Sequence, residues 1–369
     1  MKRVLFGGGG TGGHIYPALA IREALLERFP GLETAYAGQA EGMEARIVGR
    51  VEGLPFLPVR SQGMPRSLSM KWLTFPFRNA AGFFDALSCL RQFGPDLVIT
   101  TGGYVAFPVL VCARILGIPF VIHEQNAAMG VVNRLFAGSA RRVLLTYEEA
   151  ASSRDERVIL TGNPVRRAFR NTGGAANRFT KKPGEFWLLA VGGSGGARTL
   201  NDACVELTKG WLKEHPGVHL VHISGERDHE RVKAAAVPLP NYELLPYLHE
   251  MKEAFDVADL LVSRAGATIL AEIAVCGKPA ILVPFPFATD NHQEKNARAL
   301  ERLGAAKVIL DRDLRASTLG REIESLRAPE TRARMADAMR SSRPPDVEQR
   351  IIDQIAPLLD VSLALSRKG

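Results

Sequence analysis

The chain has 369 residues, 46% of them hydrophobic and 23% charged, a soluble globular profile long enough for about two domains. Ordinary glycine and proline counts and the lack of heptads exclude collagen, coiled coil and bulk disorder. A formal charge of +8 favours an acidic partner (phosphate, anionic lipid or nucleic acid) without choosing among them.

The four cysteines, Cys89, Cys112, Cys204 and Cys276, are far apart and unpatterned. Neither a zinc site nor a disulfide framework follows, and a reducing compartment is the simple reading. No uncharged apolar stretch reaches the ~18 residues of a membrane-spanning helix. The N-terminal apolar run is too short for a signal peptide.

In chain order, Arg3–Phe6 reads as a buried strand running into the glycines Gly7–Gly13. The pattern predicts a helix over Pro17–Phe29, with Ala18, Ile21 and Leu25 on one face and Pro17 in the first turn. Thr34–Ala37 is the next strand. The window Arg60–Asn79 then holds Arg60, Arg66, Lys71 and Arg78 and no acid, interleaved with Met64, Leu68, Met70, Trp72, Leu73, Phe75 and Phe77. That mixture reads as a membrane-surface site, each cation contributing about 1 kcal/mol at an anionic leaflet. The alternative is a loop whose aromatics fold into the core. Nucleic-acid binding is disfavoured, because no recognised module accompanies the charge.

Leu97–Thr100 and Phe120–His123 are further strands. The pattern breaks near Gly162–Gly174, and 171–184 reads as a polar loop. Trp187–Val191 is a strand leading into Gly192–Gly196, and Leu220–Ile223, Leu260–Ser263 and Ala280–Val283 follow as strands. Ala267–Val275 reads as a helix closed by Gly277 and Pro279. Asp290 is a candidate N-cap for a helix over Glu294–Leu303. A last amphipathic helix follows Pro344, with Val347, Ile351, Ile355 and Leu358. Strands alternating with helices predict parallel α/β sheets. The two halves repeat the order strand, glycine loop, helix. We therefore expect two similar doubly wound domains, 1–163 and 164–343, with the C-terminal helix, about 344–369, packing back on the first.

Gly8–Gly13 satisfies G-x-G-x-x-G after a strand and before a helix. Such a loop brings backbone and helix dipole to a phosphate, although glycine runs also make tight structural turns. A dinucleotide fold needs an acid at the end of the second strand; here it ends Tyr36-Ala37-Gly38-Gln39, with no acid before Glu41. This counts against a dehydrogenase. His14 follows the loop at a helix N-terminus, whose dipole favours the neutral imidazole of a general base. The plainer alternative is a histidine that caps or packs. In the second loop, Ser194 and its backbone suit a diphosphate, or simply a turn.

Gly9-Gly10-Thr11-Gly12-Gly13-His14, Gly102-Gly103-Tyr104, His123-Glu124-Gln125-Asn126, Gly162-Asn163-Pro164-Val165-Arg166, Gly192-Gly193-Ser194, Arg264-Ala265-Gly266-Ala267 and Asp290-Asn291-His292-Gln293 occur in this order. The set resembles the MurG family of bacterial N-acetylglucosaminyltransferases in glycosyltransferase family 28. The resemblance implies a GT-B fold, two Rossmann-like domains facing each other across a cleft. It implies inverting transfer of GlcNAc from UDP-GlcNAc to the C4 hydroxyl of the MurNAc-pentapeptide of undecaprenyl-diphosphate lipid I, giving lipid II for peptidoglycan synthesis. No metal or other cofactor is implied, and Asp311-Arg312-Asp313 lies late in a charged stretch.

The resemblance also implies roles. His14 is the general base, with Glu124 the alternative. Thr11, Gly12 and Gly13 lie at the donor sugar and the acceptor diphosphate, Asn126 meets the donor sugar, and Arg166 and Ser194 meet the nucleotide. The backbone of Leu248 reads uracil. Ala267, Thr268, Ile269, Leu270, Ala271 and Glu272 lie beneath the donor, with Glu272 on the ribose; its plain alternative is an exposed helix carboxylate. His292 and Gln293 read the GlcNAc hydroxyls. Gly9, Gly10 and Tyr104 meet the acceptor, and Arg66, Met70, Lys71, Trp72, Phe75, Phe77 and Arg78 form a membrane patch. The implied partners are lipid I and an anionic membrane surface, with cell-wall and division proteins left open and no nucleic acid. The implied location is peripheral, on the cytoplasmic face of the inner membrane. Gly195, Ile223 and the proline-free Asn126–Gly130 depart from the family pattern. Other readings are a transferase with another lipid acceptor, such as diacylglycerol, and a non-catalytic UDP-sugar-binding membrane module.

Overall fold

The computed structural model describes residues 2–63, 71–151, 155–170, 178–193 and 196–365; the side chains of 71–73, 289 and 361–365 lie outside that description. The chain divides into two compact units, Met1–Arg166 with Pro344–Gly369, and Arg167–Arg343. The sequence reading placed the first join slightly earlier, after residue 163.

Unit 1 runs β1 (Arg3–Gly7), α1 (Gly12–Arg28), β2 (Glu33–Gly38), α2 (Met43–Val48), β3 (Phe56–Pro58), α3 (Lys71–Phe93), β4 (Leu97–Thr100), α4 (Ala106–Ile115), β5 (Phe120–Glu124), α5 (Val131–Phe136), β6 (Arg142–Leu145) and β7 (Val158–Leu160). Its seven strands are parallel in the order β3-β2-β1-β4-β5-β6-β7. The strands are apolar on both faces because helices cover both. Along β1, Val4 and Phe6 enter one core with α1, and Leu5 enters the other with residues of α3 and α4.

Unit 2 runs α6 (Arg167–Arg170), β8 (Phe186–Val191), α7 (Arg198–Lys209), α8 (Trp211–Glu214), β9 (Val218–Ile223), α9 (His229–Ala235), β10 (Tyr242–Leu245), α10 (Met251–Val257), β11 (Leu260–Ser263), α11 (Ala267–Cys276), β12 (Ala280–Leu282), α12 (His292–Arg302), β13 (Ala306–Val308), α13 (Ala316–Ser325) and α14 (Pro329–Ser341). Its six parallel strands are ordered β10-β9-β8-β11-β12-β13. The chain then enters α15 (Val347–Leu365), which belongs to unit 1. There Val347, Ile351, Ile355 and Leu359 are buried in the core that α1 shares. At roughly 1.5–3 kcal/mol for each fully buried side chain, this is a substantial part of unit 1's stability.

The expected fold class holds in both units. The short strands β3, β6, β7, β10 and β13 were not anticipated. They span three or four residues, and β3, β7, β10 and β13 are edge strands that are only partly buried. Two local expectations are corrected. The first helix begins at Gly12, so Pro17 is inside it and not in its first turn. Without an N–H, Pro17 forgoes only the bond to the Gly13 carbonyl, near the helix start. Helix α12 begins at His292 after Asn291, and Asp290 lies in a tight turn with left-handed backbone, so Asp290 is not its N-cap. Gly277 does close α11: it is left-handed, and Lys278 N–H reaches back to the Ile273 carbonyl.

Candidate active site

In open α/β sheets ligands meet the carboxyl ends of the strands where the strand order reverses. In unit 1 that point lies between β1 and β4. The loop after β1 and the loop after β4 are packed backbone to backbone. A Cβ on Gly103, whose φ is +82°, would stand 2.2 Å from the Gly9 carbonyl oxygen, so only glycine fits. Gly9 N–H donates to the Gly102 carbonyl (3.2 Å) and Gly10 N–H to Glu44 Oε1 (2.7 Å). These two amides are therefore engaged inside the loop and not turned toward an anion, which corrects the simple picture of a glycine cradle. The start of α1 has no side-chain cap and no acid in its first turn, which suits an anion.

His14 is held from two neighbouring strand ends. Its Nδ1 lies 2.8 Å from the Thr101 carbonyl, after β4, and 3.1 Å from Gln125 Oε1, after β5. Thr101 Oγ1 donates to the His14 carbonyl (2.7 Å), clamping the same residue again. Both groups facing Nδ1 accept, so the ring proton is on Nδ1 and Nε2 carries the lone pair. The ring does not cap α1.

Glu124, at the end of β5, is buried. Its Oε1 accepts from the Asn126 N–H (3.1 Å) and Asn126 Nδ2 (3.2 Å), and its Oε2 from the Gly130 N–H (2.9 Å) and Asn133 Nδ2 (2.8 Å). Four donors on one carboxylate make a staple for the loop that carries Asn126. Tyr104 lays its ring against Gly10 and donates its hydroxyl to Gln39 (2.9 Å). Arg166 falls in unit 1, stacked over the Tyr16 ring at 4.4 Å.

In unit 2 the order reverses between β8 and β11. Ser194 lies outside the described residues. Arg264, after β11, is buried and donates to the Val283 carbonyl (3.1 Å), Thr199 Oγ1 (3.0 Å) and Asp311, with which it forms an ion pair. Thr199 also donates to Asp311. Asp311 is thus the counter-ion of a buried guanidinium. Gln293 Oε1 accepts the N–H groups of Ala265 (3.2 Å) and Phe285 (3.0 Å), tying the loops after β11 and β12 together. This orientation turns the amide hydrogens of Gln293 away from those loops. One turn on, Asn296 Nδ2 donates to the Ala265 carbonyl (3.2 Å).

Helix α11 starts after Gly266 with no side-chain cap and no acid in its first turn. Ala267, Thr268, Leu270 and Ala271 are buried and Ile269 half-buried. Glu272, expected at the plainest to be an exposed helix carboxylate, is buried at 5% exposure. Leu248 is buried between β10 and α10, and His292 opens α12. No role is assigned from the sequence to Thr101, Gln125, Thr199, Asn296 or Asp311. Gln125 stood within the quoted His123–Asn126 run and Thr101 directly before Gly102, and that adjacency was the available signal.

Of the surface patch, Arg66 and Met70 lie outside the described residues, as do the side chains of Lys71 and Trp72. Phe75 is half-buried, Phe77 is 76% exposed and Arg78 is exposed. Arg60 is bound to Asp85 through two nitrogens at 2.7 Å, so it is not an unpaired surface cation. Further apolar side chains of unit 1 are exposed: Phe84 on α3, Phe107 and Ile115 on α4, and Val131 and Leu135 beside exposed Arg134 on α5. No described helix is long and apolar enough to cross a membrane.

Comparison with known proteins accords with this geometry. Residues 4–145 match the glycosyltransferase family 28 N-terminal domain and residues 187–351 the glycosyltransferase family 28 C-terminal domain. The chain is 41% identical over 362 residues to the UDP-N-acetylglucosamine--N-acetylmuramyl-(pentapeptide) pyrophosphoryl-undecaprenol N-acetylglucosamine transferase of Desulfitobacterium hafniense strain Y51, covering 95% of this chain and 98% of that one. It is 42% identical to the transferase of the same name from Desulforudis audaxviator strain MP104C, covering 96% and 98%. The crystal structure of Acinetobacter baumannii MurG superposes with a TM-score of 0.73 at 30% identity, covering 97% of this chain and all of that one. Motifs, paired folds and relatives agree: the chain belongs to glycosyltransferase family 28 and, within it, to the MurG family of GlcNAc transferases.

Proposed function

We propose that the chain transfers GlcNAc from UDP-GlcNAc, with inversion, to the C4 hydroxyl of the MurNAc-pentapeptide of undecaprenyl-diphosphate lipid I, giving lipid II. The donor and acceptor classes are those named for its relatives. The observation that carries the chemistry is the His14 ring, whose Nδ1 faces two acceptors and whose Nε2 is therefore the basic atom. Nε2 takes the proton of the acceptor hydroxyl as that oxygen bonds to the anomeric carbon. The bond from that carbon to the diphosphate oxygen breaks, and UDP leaves with the electron pair. Base assistance of this kind contributes about 10²–10⁴ in rate. Glu124, saturated by four donors, positions Asn126 toward the donor sugar and leaves the proton to His14.

In unit 2 the start of α11 faces the leaving diphosphate. Its dipole contributes roughly 0.3–1 kcal/mol, more when buried. Glu272 takes the ribose hydroxyls, the backbone at Leu248 the uracil, and Gln293 with His292 the GlcNAc hydroxyls. Arg166 and Ser194 serve the nucleotide, and Thr11, Gly12 and Gly13 the donor sugar. Gly9, Gly10 and Tyr104 shape the acceptor side. The reaction as proposed uses no metal. Exposed Phe77, Val131 and Leu135 with Arg78 and Arg134 support peripheral docking on an anionic bilayer, on the cytoplasmic face of the inner membrane where the acceptor is presented.

The test mixes purified protein, UDP-GlcNAc and a short-chain lipid I analogue with EDTA, following UDP release and product mass. A product heavier by one GlcNAc is expected. Donor binding without product would overturn the acceptor assignment, toward another lipid acceptor or a non-catalytic binding module. Loss of the product only when EDTA is present would overturn the metal-free reading.

A further inference from the structure

We propose that Gln125 is a positioning residue for the transfer reaction: its carboxamide, oriented by buried His123, holds the His14 ring with the proton on Nδ1 and the base lone pair on Nε2. The proposal rests on His14 being the base.

The chain of bonds has a single consistent direction. His123 Nε2 lies 3.0 Å from the Gly162 carbonyl oxygen, which can only accept, so the proton of His123 is on Nε2. Burial pushes the His123 pKa down to about 4, so the ring is neutral and its Nδ1 is a bare acceptor. Gln125 Nε2 lies 3.0 Å from that Nδ1 and 2.8 Å from the His123 carbonyl. Two acceptors face this end of the carboxamide, and only the NH2 group has hydrogens for both. A flipped amide would set its oxygen against them. The amide oxygen is thereby committed to the other end, 3.1 Å from His14 Nδ1. The Thr101 carbonyl, 2.8 Å from the same nitrogen, enters from the neighbouring strand end. Two acceptors on different loops fix both the tautomer and the plane of the ring.

A neutral amide in this place also has a consequence for the chemistry. It accepts a hydrogen bond from the ring without adding a negative charge beside it. Described ionisable groups of the neighbouring loops and helices have partners of their own. Glu124 accepts four hydrogen bonds, Glu44 accepts from Gly10, Tyr104 donates to Gln39, and Arg166 stacks on Tyr16 of α1. At the far end the relay terminates on Gly162, the residue that opens the segment leading out of unit 1.

The experiment compares the full-length wild type with Gln125→Glu, Gln125→Met and His14→Ala, measuring kcat, donor KM and the pH dependence of kcat. Both Gln125 variants should lose about tenfold in kcat, a fraction of the whole base contribution, while donor KM stays within about twofold. The acid limb of the profile should move up by about one pH unit in Gln125→Glu, where a carboxylate faces the imidazolium, and down in Gln125→Met, where an acceptor is lost. A purely structural role would lower both activities with the acid limb unmoved, and that result overturns the proposal. If His14→Ala turns over like wild type, the base assignment fails and the relay with it. If His14→Ala is inactive while the Gln125 variants keep the wild-type profile, the relay alone fails. Nitrogen-15 spectra of histidine-labelled wild type read the same point without a variant. His14 should show the Nδ1–H form and His123 the Nε2–H form, and the reverse pattern overturns the proposal.

Discussion

Each unit contains a fully buried histidine paired with a carboxamide, and the two pairs end differently. In unit 2, His222 Nε2–H donates to Asn201 Oδ1 (2.9 Å), and Asn201 Nδ2 donates onward to the Ser224 carbonyl (2.9 Å) and Asp228 (2.7 Å). That network closes on itself and fastens the end of β9 to α7. In unit 1, His123 and Gln125 form the same kind of pair, but the amide oxygen is handed to a second imidazole whose Nε2 carries its lone pair. The same polar unit is therefore a bolt in one domain and a lever in the other. What separates them is the group at the free end, not the burial, the hydrogen-bond lengths or the neutral ring.

The largest effect that would break this comparison is at that free end. His14→Ala should lower kcat by about 10²–10⁴ while leaving UDP-GlcNAc affinity near wild type, read by steady-state kinetics and calorimetric titration. Undiminished turnover would reduce unit 1's network to another bolt.

The next effect belongs to unit 2. Asp311→Ala leaves the Arg264 guanidinium buried without its counter-ion, and should lower the unfolding free energy by about 3–5 kcal/mol in urea titrations, with weaker donor binding. A loss of kcat at unchanged donor affinity and stability would instead place Arg264 in the chemistry and blur the division between the units.

The last effect is shared between the units. Burial lowers the pKa of His123 to about 4 and that of His222 to about 3, against about 6.5 in an unfolded chain. Between these values the unfolded chain binds protons that the folded one refuses, so stability is complete above pH ~6.5 and falls as the pH drops toward 4. The loss is on the order of 3 kcal/mol per ring by pH 4, measurable as urea midpoints at pH 7.5 and 4.5. Equal midpoints would mean that neither ring is held neutral by the fold.

Much of this was legible from residues alone, for identifiable reasons. The strands before both glycine loops were visible because parallel strands covered on two faces are unbroken apolar runs. His14, Glu124 and Gln293 were visible because they stand in short motifs beside strand ends. Asp311 was not: it sits 47 residues from Arg264 in the chain, and nothing in a charged stretch marks one acid as a counter-ion. Glu44 was missed similarly, since its partner Gly10 is 34 residues away. The outward turn of Val131 and Leu135 on α5 depended on which face of a short helix the fold covers, which six residues do not reveal.

The sequence by itself determined the two doubly wound halves, the loops that could meet phosphate, and the family, because apolar runs, glycines and motif order are local properties. Only the tertiary structure decided which atoms were still open for chemistry. It occupied the Gly9 and Gly10 amides, saturated Glu124, paired Arg264 with Asp311, and put the ring proton of His14 on Nδ1. Apart from the Glu124 staple, which closes within nine residues, each of these outcomes is a hydrogen bond between residues far apart in the chain. A donor's availability is settled only when the fold has brought every competing acceptor within reach.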